Sequence, residues 1–323
     1  MNAFAARHCG KHAALTRTAL WRMSSWMNGV PLDAAMPSRL FSLEGLDTAR
    51  LPVLIAVPHA GRDYPNEILQ NLRVAPEVLE RLEDRHADML VPDADAFGAP
   101  VLVAHAARAW IDLNRGPSEV DPQMIADAPR TAFAQPSAKV RGGLGLVPRR
   151  LADHGDLWRR PFPQSAIAAR ISALHDPYHR ALSQALASLK ARFGRALLID
   201  LHSMPPLRPE GSVAPPGIVL GDRFGRSASG ALCDLAMRTM TRLGFEVALN
   251  HPYAGGYVLD RHGRPSRNMH ALQIEVDRSL YLDAELKNPG AGLPHVRAAL
   301  VELIEALSDD LLRGDPGVAI AAE

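Results

Sequence analysis

The chain has 323 residues, with 36 Lys or Arg against 35 Asp or Glu and a formal net charge of +1. Its hydrophobic fraction of 47% and charged fraction of 22% are ordinary for a globular protein, which excludes a disordered chain, a coiled coil and a collagen-like repeat. The balanced charge argues against a nucleic-acid-binding protein, and the lack of an apolar run of about 18 residues argues against a membrane protein.

Residues 1–38 contain no apolar stretch long enough to serve as a secretory signal. We interpret this segment as a disordered tail or an over-long gene model. A single α/β domain is expected over residues 39–313, followed by a tail at 314–323. The two cysteines, Cys9 and Cys233, form no C-x-x-C pair, which is typical of a reducing compartment and predicts a cytoplasmic protein.

The first part of the domain alternates between strand and helix patterns. "LPVLIAVPHAG" predicts a buried strand followed by a loop, and residues 66–91 have helical spacing. "GAPVLVAHAARAWIDLN" predicts two strands with a polar break between them. Residues 116–160 are rich in Pro, Gly, Arg and Asp, and an excursion of this length usually has a function or is mobile.

The second part continues the alternation. Residues 165–193 are predicted to be a helix, and "RALLIDLHSMP" and "PPGIVLGDRFG" to contain buried strands. A helix at 227–243, a strand and Gly-rich loop in "FEVALNHPYAGGY", a strand in "HALQIEVDRSLY" and a helix at 293–312 complete the domain. This order predicts an α/β fold with a mainly parallel or mixed central sheet and helices on both faces.

Polar side chains follow the predicted strands, at the edge of the sheet where such folds bind ligands. Two histidines, several carboxylates and several arginines converge there, a set that suits a divalent metal and an anionic substrate. The chain has no H-E-x-x-H, G-x-S-x-G or P-loop motif. The residues concerned are His59, Arg62, Asp63, Arg108, Asp112, Asn114, Arg115, His202, Ser203, Asp222, Arg223, Glu275, Asp277 and Arg278.

Seven segments together resemble the N-formylglutamate amidohydrolases of histidine degradation. They are "VPHAGRDYP", "AWIDLNR", "RGGLGLVPRR", "LLIDLHSMP", "IVLGDRFGR", "NHPYAGGY" and "HALQIEVDRSLY", in order from about residue 40 to about residue 290. The resemblance implies a fold similar to the zinc carboxypeptidases and aspartoacylase-like enzymes. It also implies zinc held by two histidines and a carboxylate, a glutamate as general base and an arginine that polarises the scissile carbonyl.

By this resemblance His59 and His202 are metal ligands. Carboxypeptidase-like enzymes have an H-x-x-E motif, but Arg62 stands here in place of its glutamate, so the third ligand is sought in "EDRHADMLV". We favour Asp88, with Asp84 and Asp63 as alternatives. Residues 84 and 88 are four apart and are expected to project from one face of a helix.

The resemblance also assigns the other site residues. Glu275 is expected to be the general base and Arg108 to face the developing oxyanion, while Asn114 and Arg115 bind a substrate carboxylate. The Gly-rich loop with Tyr253, Gly255, Gly256 and Tyr257 is expected to cover the substrate, with Tyr257 as its binding residue. Arg149, with Arg141 and Arg150, is a candidate for a second carboxylate. Structural roles are expected for His86, His175 and His179, while His270 is expected to support the metal ligands from behind.

The implied reaction is metal-dependent hydrolysis of the N-acyl amide of an acidic amino acid, with N-formyl-L-glutamate as the best substrate. Zinc is the expected metal, although other first-row divalent metals fill such sites. Three alternatives remain open: hydrolysis of another N-acyl amino acid or small amide, a non-catalytic module that binds metal or carboxylate, and carboxypeptidase activity on peptides, which the missing H-x-x-E disfavours. The expected partner is a small acidic molecule, with no nucleic acid and no membrane.

Overall fold

The computed structural model describes residues 40–127, 137–209, 211 and 214–313. The interpretations of residues 1–38 and of 314–323 lie outside the described residues. The strands are β1 (Phe41–Glu44), β2 (Val53–Val57), β3 (Val101–Ala104), β4 (Arg150–Leu151), β5 (Gly155–Asp156), β6 (Ala196–Met204), β7 (Ile218–Gly221), β8 (Val247–Leu249) and β9 (Met269–Asp277). The α-helices are α1 (Asn66–Gln70), α2 (Ala94–Phe97), α3 (Ala138–Arg141), α4 (Gln164–Arg170), α5 (Asp176–Phe193), α6 (Gly230–Arg242), α7 (Tyr257–His262) and α8 (Leu293–Arg313).

A mixed sheet of seven strands lies at the centre, in the order β1-β3-β2-β6-β9-β7-β8. Strands β3, β2, β6 and β9 are parallel neighbours, whereas β1 and β7 run antiparallel to β3 and β9. Strands β4 and β5 form a separate two-stranded ribbon. The predicted mixed α/β sheet is therefore confirmed.

Helices cover both faces of the sheet. Strand β6 is buried along its whole length, and its alternate residues belong to two different apolar clusters. Leu198 packs in the cluster that contains the apolar face of α5, and Ile199 in the cluster that contains those of α6 and α8. Burial on both faces explains why this strand reads as an almost continuous apolar run. None of the described helices is long and apolar enough to cross a membrane.

The segment 66–91 is not one helix, as its spacing suggested. After α1 the chain forms two short 3₁₀ helices, Pro76–Leu82 and Ala87–Leu90, separated by a turn. Glu83 is extended, with φ −74° and ψ 146°, and His86 is left-handed, with φ 59°. Either conformation ends a helix. Residues 84 and 88 therefore do not share a helix face.

Two other local predictions need correction. "GAPVLVAHAARAWIDLN" contributes one strand, β3, because the residues after it turn and direct their polar side chains into the site described below. Strand β1 was not predicted. The helix predicted at 165–193 is confirmed, but a π-helical turn, Ile171–His175, separates α4 from α5. Pro177 lies just beyond this turn, and its missing N–H disturbs the regular α-helical bonding.

Candidate active site

Two buried histidines face each other where neighbouring parallel strands end. His59 follows β2 and His202 lies near the end of β6, and their ring centroids are 4.8 Å apart. Asp84 Oδ2 lies 2.8 Å from Nδ1 of His202 and 3.5 Å from Nδ1 of His59. Within the described ranges, these three residues form the one His and carboxylate group whose ligand atoms all lie within 4.8 Å of one another.

The outer nitrogen of each histidine is held by a second carboxylate. Nε2 of His59 lies 2.8 Å from Asp112 Oδ1, and Nε2 of His202 lies 3.0 Å from Asp200 Oδ2. An ionised carboxylate only accepts, so each Nε2 carries a proton, and Nδ1 is the nitrogen that a neutral imidazole can offer to a metal. Carboxylates behind the ligand histidines are the usual arrangement at protein metal sites.

Nδ1 of His59 is buried and has no hydrogen-bond partner among the described residues. A buried polar atom without a partner is costly, because it has lost its hydrogen bond to water. Two imidazole lone pairs and one carboxylate meet here, and this is the donor set that zinc prefers. The residues present therefore fit a divalent metal.

The third member of the cluster is fixed by the backbone. The N–H of Asp84 donates to the carbonyl of His59 at 2.9 Å, which ties the turn between the two 3₁₀ helices to the end of β2. Burial alone would raise the pKa of Asp84, but its close contacts with His202 and His59 outweigh burial and hold this pKa well below its usual range. The carboxylate is therefore ionised and can bind a cation.

The structure brings Asp84 to the histidines, and not the favoured Asp88. Both oxygens of Asp88 accept from the guanidinium of Arg62, at 3.2 and 2.9 Å. Asp63 is exposed, and its backbone pairs with Ala106. The choice of Asp88 assumed a continuous helix, and the turn at residues 83–86 instead directs Asp84 inward.

Glu275 lies beside the histidine cluster because of strand register. It is the direct partner of His202 across the parallel pair of β6 and β9, so both side chains emerge on the same face of the sheet. Gln273 donates to its Oε1 at 3.0 Å. Burial raises the pKa of Glu275 to about 7, although His202 and Arg108 act in the opposite direction. A carboxyl group with a pKa near neutrality suits proton transfer.

The loop after β3 brings Arg108, Asn114 and Arg115 to the same site. The buried Asp112 anchors this loop, since it accepts from Nε of Arg108 at 2.9 Å and from the N–H of Asn114 at 2.8 Å. Nε and Nη1 of Arg115 donate to the carbonyls of Leu144 and Asn114, at 2.9 and 2.7 Å. Among the described residues, no hydrogen bond engages its third nitrogen, Nη2.

These residues line a cavity of about 550 Å³. The cavity also contains Tyr253, from the Gly-rich loop, and Lys139, which sequence reasoning did not select. Burial and the charge of Arg115 lower the pKa of Lys139 to about 8. The cationic side chains that line the cavity are Arg81, Arg108, Arg115, Lys139, Arg223 and Arg278. This collection of positive charge is suited to an anionic ligand.

Two of the expected substrate-binding residues are not among those that line the cavity. Tyr257 lies at the start of α7, where its ring packs against His179 at 5.1 Å and its hydroxyl accepts from Arg261 at 2.6 Å. Arg149 donates to Asp121 at 2.7 Å and to Asp156 at 2.8 Å. Tyr253, from the same Gly-rich loop, occupies the place expected for Tyr257. Lys139 lies in the long excursion at 116–160, where no pattern distinguishes it.

Comparisons with known proteins agree on one family. The model of the family described as N-formylglutamate amidohydrolase matches residues 51–282. An N-formylglutamate deformylase of Pseudomonas aeruginosa is 32% identical over 269 residues, which are 81% of this chain and 92% of that protein. One from Pseudomonas putida is 30% identical over 72% of this chain and 83% of its own.

Solved structures give the same result. The crystal structure of N-formylglutamate amidohydrolase from Ralstonia eutropha JMP134 matches with a TM-score of 0.78 and 31% identity, over 85% of this chain and 99% of that one. A gene product of Agrobacterium tumefaciens is 20% identical, with a TM-score of 0.60 over 84% of this chain and 96% of its own, and shows the fold alone.

Proposed function

The chain belongs to the N-formylglutamate amidohydrolase family, and from this premise we propose that it hydrolyses N-formyl-L-glutamate to formate and L-glutamate in a metal-dependent reaction. One observation carries the proposal. A group of two histidines and one carboxylate, His59, Asp84 and His202, adjoins Glu275 in a cavity rich in Arg and Lys. Each component of an amide hydrolase for an acidic substrate is therefore within one site.

In the proposed enzyme, His59, Asp84 and His202 would hold zinc. When bound, it would act as a Lewis acid and lower the pKa of water towards about 7. Asp112 and Asp200 keep the two imidazoles in the tautomer that offers Nδ1 to the metal. Because a ligating histidine must be neutral, these two carboxylates act by accepting N–H and not by taking up a proton.

Glu275 is the proposed proton-transfer group. Its raised pKa allows it to accept a proton from the attacking water and to return this proton to the nitrogen that leaves as the amine. Arg108 is the proposed oxyanion partner. Burial would lower the pKa of Arg108, but the charges of Asp112, Asp84 and Glu275 raise it, so the guanidinium stays charged where negative charge develops.

We propose that Arg115 holds one carboxylate of the substrate. Two of its three nitrogens are committed to backbone carbonyls, which fixes the plane of the guanidinium and reduces the entropy lost on binding. The substrate has two carboxylates, and Lys139 is the candidate for the second because it lies near Arg115 in the cavity. This assignment replaces Arg149, which is engaged by Asp121 and Asp156.

A cavity of about 550 Å³ lies within the range that holds drug-sized ligands, so acyl groups larger than formyl can also enter. We therefore keep hydrolysis of another N-acyl amino acid as the second candidate function. We further propose a role in histidine degradation in the cytoplasm. The described cysteine, Cys233, supports this compartment, because it is a free thiol that donates to Asp222 at 3.2 Å.

The experiment that tests the proposal compares N-formyl-L-glutamate, N-acetyl-L-glutamate, N-formyl-L-glutamine and a peptide ending in glutamate as substrates. We expect the highest kcat/KM for N-formyl-L-glutamate. A higher value for the acetyl compound would favour the second candidate. No turnover of any of the four by metal-loaded protein would favour a non-catalytic binding module and contradict the proposal.

A further inference from the structure

Three histidines outside the metal cluster form a second buried group. His175 and His179 lie one turn apart on the helix of α5 and its preceding π turn, and His262 ends α7. Two of these histidines lie within hydrogen-bond distance of backbone carbonyls through Nε2. Nε2 of His175 lies 2.8 Å from the carbonyl of Arg115, and Nε2 of His179 lies 3.0 Å from that of Leu113.

The protonation of this group follows from its partners. A carbonyl only accepts, so Nε2 of both His175 and His179 carries the proton. Nδ1 of His179 then accepts from Nε2 of His262, at 3.0 Å. Burial lowers the pKa of His175, that of His179 to about 2 and that of His262 to about 3. The three rings are therefore neutral at pH 7, and each N–H has a fixed direction.

The two carbonyls that accept from these histidines flank Asn114. The side chain of Asn114 is held from a third direction, because its Oδ1 accepts from the N–H of Val258, in the first turn of the same α7 that carries His262. Its Nδ2 lies 3.2 Å from Nε2 of His202. The histidine group therefore fastens the segment that carries Asn114 and Arg115 to two helices at once.

We propose that His175 and His179 are positioning residues for substrate binding, which hold the backbone on both sides of Asn114 so that Arg115 faces the substrate carboxylate. The inference rests on the proposed function, since it assigns the carboxylate grip to Arg115. The geometry explains why two histidines are required. Asp112 and Val258 already hold Asn114 itself, and the two histidines add a fixed carbonyl on either side of it, which fixes the orientation of the whole segment.

The test replaces each histidine with glutamine or with asparagine, two amide side chains that differ only in length. A glutamine can place its amide nitrogen near the position of the histidine Nε2, whereas an asparagine reaches only the position of Nδ1. His175→Gln and His179→Gln should stay within about threefold of the wild-type KM for N-formyl-L-glutamate. His175→Asn and His179→Asn should raise KM about tenfold with a smaller change in kcat, because one hydrogen bond to a buried carbonyl is lost.

Although His270 was expected to lie behind the ligands, it pairs with Leu197 at the start of β9, away from the end of the strand that carries Glu275. A matched control is therefore His270→Asn, which removes another buried histidine outside both groups. It should leave KM unchanged. Thermal unfolding of each variant separates a general loss of stability from a loss of positioning. Equal KM values for the glutamine and asparagine variants, or a change in kcat alone, would overturn the inference.

Calorimetric binding of L-glutamate to the zinc-loaded protein separates this inference from the proposed function. If the wild type binds L-glutamate but does not hydrolyse N-formyl-L-glutamate, the proposed function fails, and the ratio of Kd values between asparagine and glutamine variants still tests the positioning role. A tenfold weaker Kd in the asparagine variants supports it, and equal Kd values overturn it. A wild type that neither turns over the substrate nor binds L-glutamate contradicts both proposals.

Discussion

Asp84 and Asp88 are four residues apart but have different partners. Asp84 contacts His59 and His202, whereas Asp88 pairs with Arg62. Replacing Asp84 with Asn removes the negative ligand and should weaken zinc binding at least about 100-fold. Asp88→Asn is the matched control, because it breaks only an ion pair that is about a third exposed and should keep both zinc and turnover. Zinc content after dialysis decides the assignment. Loss of zinc in Asp88→Asn and retention in Asp84→Asn would reverse it.

Glu275→Gln keeps the shape of the side chain and removes its ability to take a proton. We expect turnover to fall by about 10²–10⁴, the usual contribution of a general base, while zinc stays bound. Asp277→Asn is a control on the same face of β9. The carboxylate of Asp277 accepts from the N–H and hydroxyl of Ser279, so its loss should lower stability and leave turnover nearly unchanged. Normal turnover of Glu275→Gln would remove the residue from the proton-transfer role.

Alanine variants of Arg115 and Arg149 distinguish an arginine that binds substrate from one that only stabilises the protein. Arg115→Ala should raise KM for N-formyl-L-glutamate about 10–100-fold with less effect on kcat, since a charge-assisted hydrogen bond contributes about 1.5–3 kcal/mol. Arg149→Ala should leave KM near the wild-type value, because both its partners, Asp121 and Asp156, belong to the protein. Steady-state kinetics of the two variants test this difference. An increase in KM confined to Arg149→Ala would return the carboxylate site to Arg149.

At the scale of elements, the contact between α7 and the loop after β3 controls the site. A Cβ placed on Gly256, just before α7, would lie 2.5 Å from Asn114 Oδ1. Gly256→Ala should therefore displace Asn114, raise KM and destabilise the fold by about 1–3 kcal/mol. At Gly230, the first residue of α6, a Cβ meets nothing within 4 Å, so Gly230→Ala should keep KM and stability. Similar KM values in the two variants would contradict the importance of this contact.

The elements that sequence reasoning predicted well are those whose pattern is set by local burial. Strands β2, β6 and β9 read as apolar runs because both faces are covered, and the histidines and the glutamate that follow or end them were identified from that position. His59, His202 and Glu275 meet because parallel strands end together. Strand order and register bring these residues together, and neither can be predicted from the sequence of a single segment.

The parts that could not be predicted depend on tertiary contacts. The turn that directs Asp84 inward is fixed by a backbone hydrogen bond to His59, which is 25 positions earlier and invisible to helical spacing. Asp200 has the pattern of a strand residue, and only the structure shows that it holds Nε2 of His202. Lys139 reaches the cavity from the segment 116–160, whose sequence has neither helical nor strand periodicity.

At the scale of the whole molecule, a nearly neutral chain concentrates positive charge in one cavity. The formal net charge is +1, yet six Arg or Lys side chains line the cavity that holds the metal cluster. A low-dielectric cleft with charges of one sign raises the local concentration of an oppositely charged substrate. The covered sheet supplies the rigid support, since the histidines extend from strands that are buried on both faces.

The central claim is that metal at His59, Asp84 and His202 is required for hydrolysis of N-formyl-L-glutamate. The most direct measurement is formate release by the purified protein as isolated, after chelation, and after zinc is returned. We predict release that chelation abolishes and zinc restores, with bound zinc near one ion per chain in the active samples. Undiminished release from protein shown to be free of metal would contradict the account.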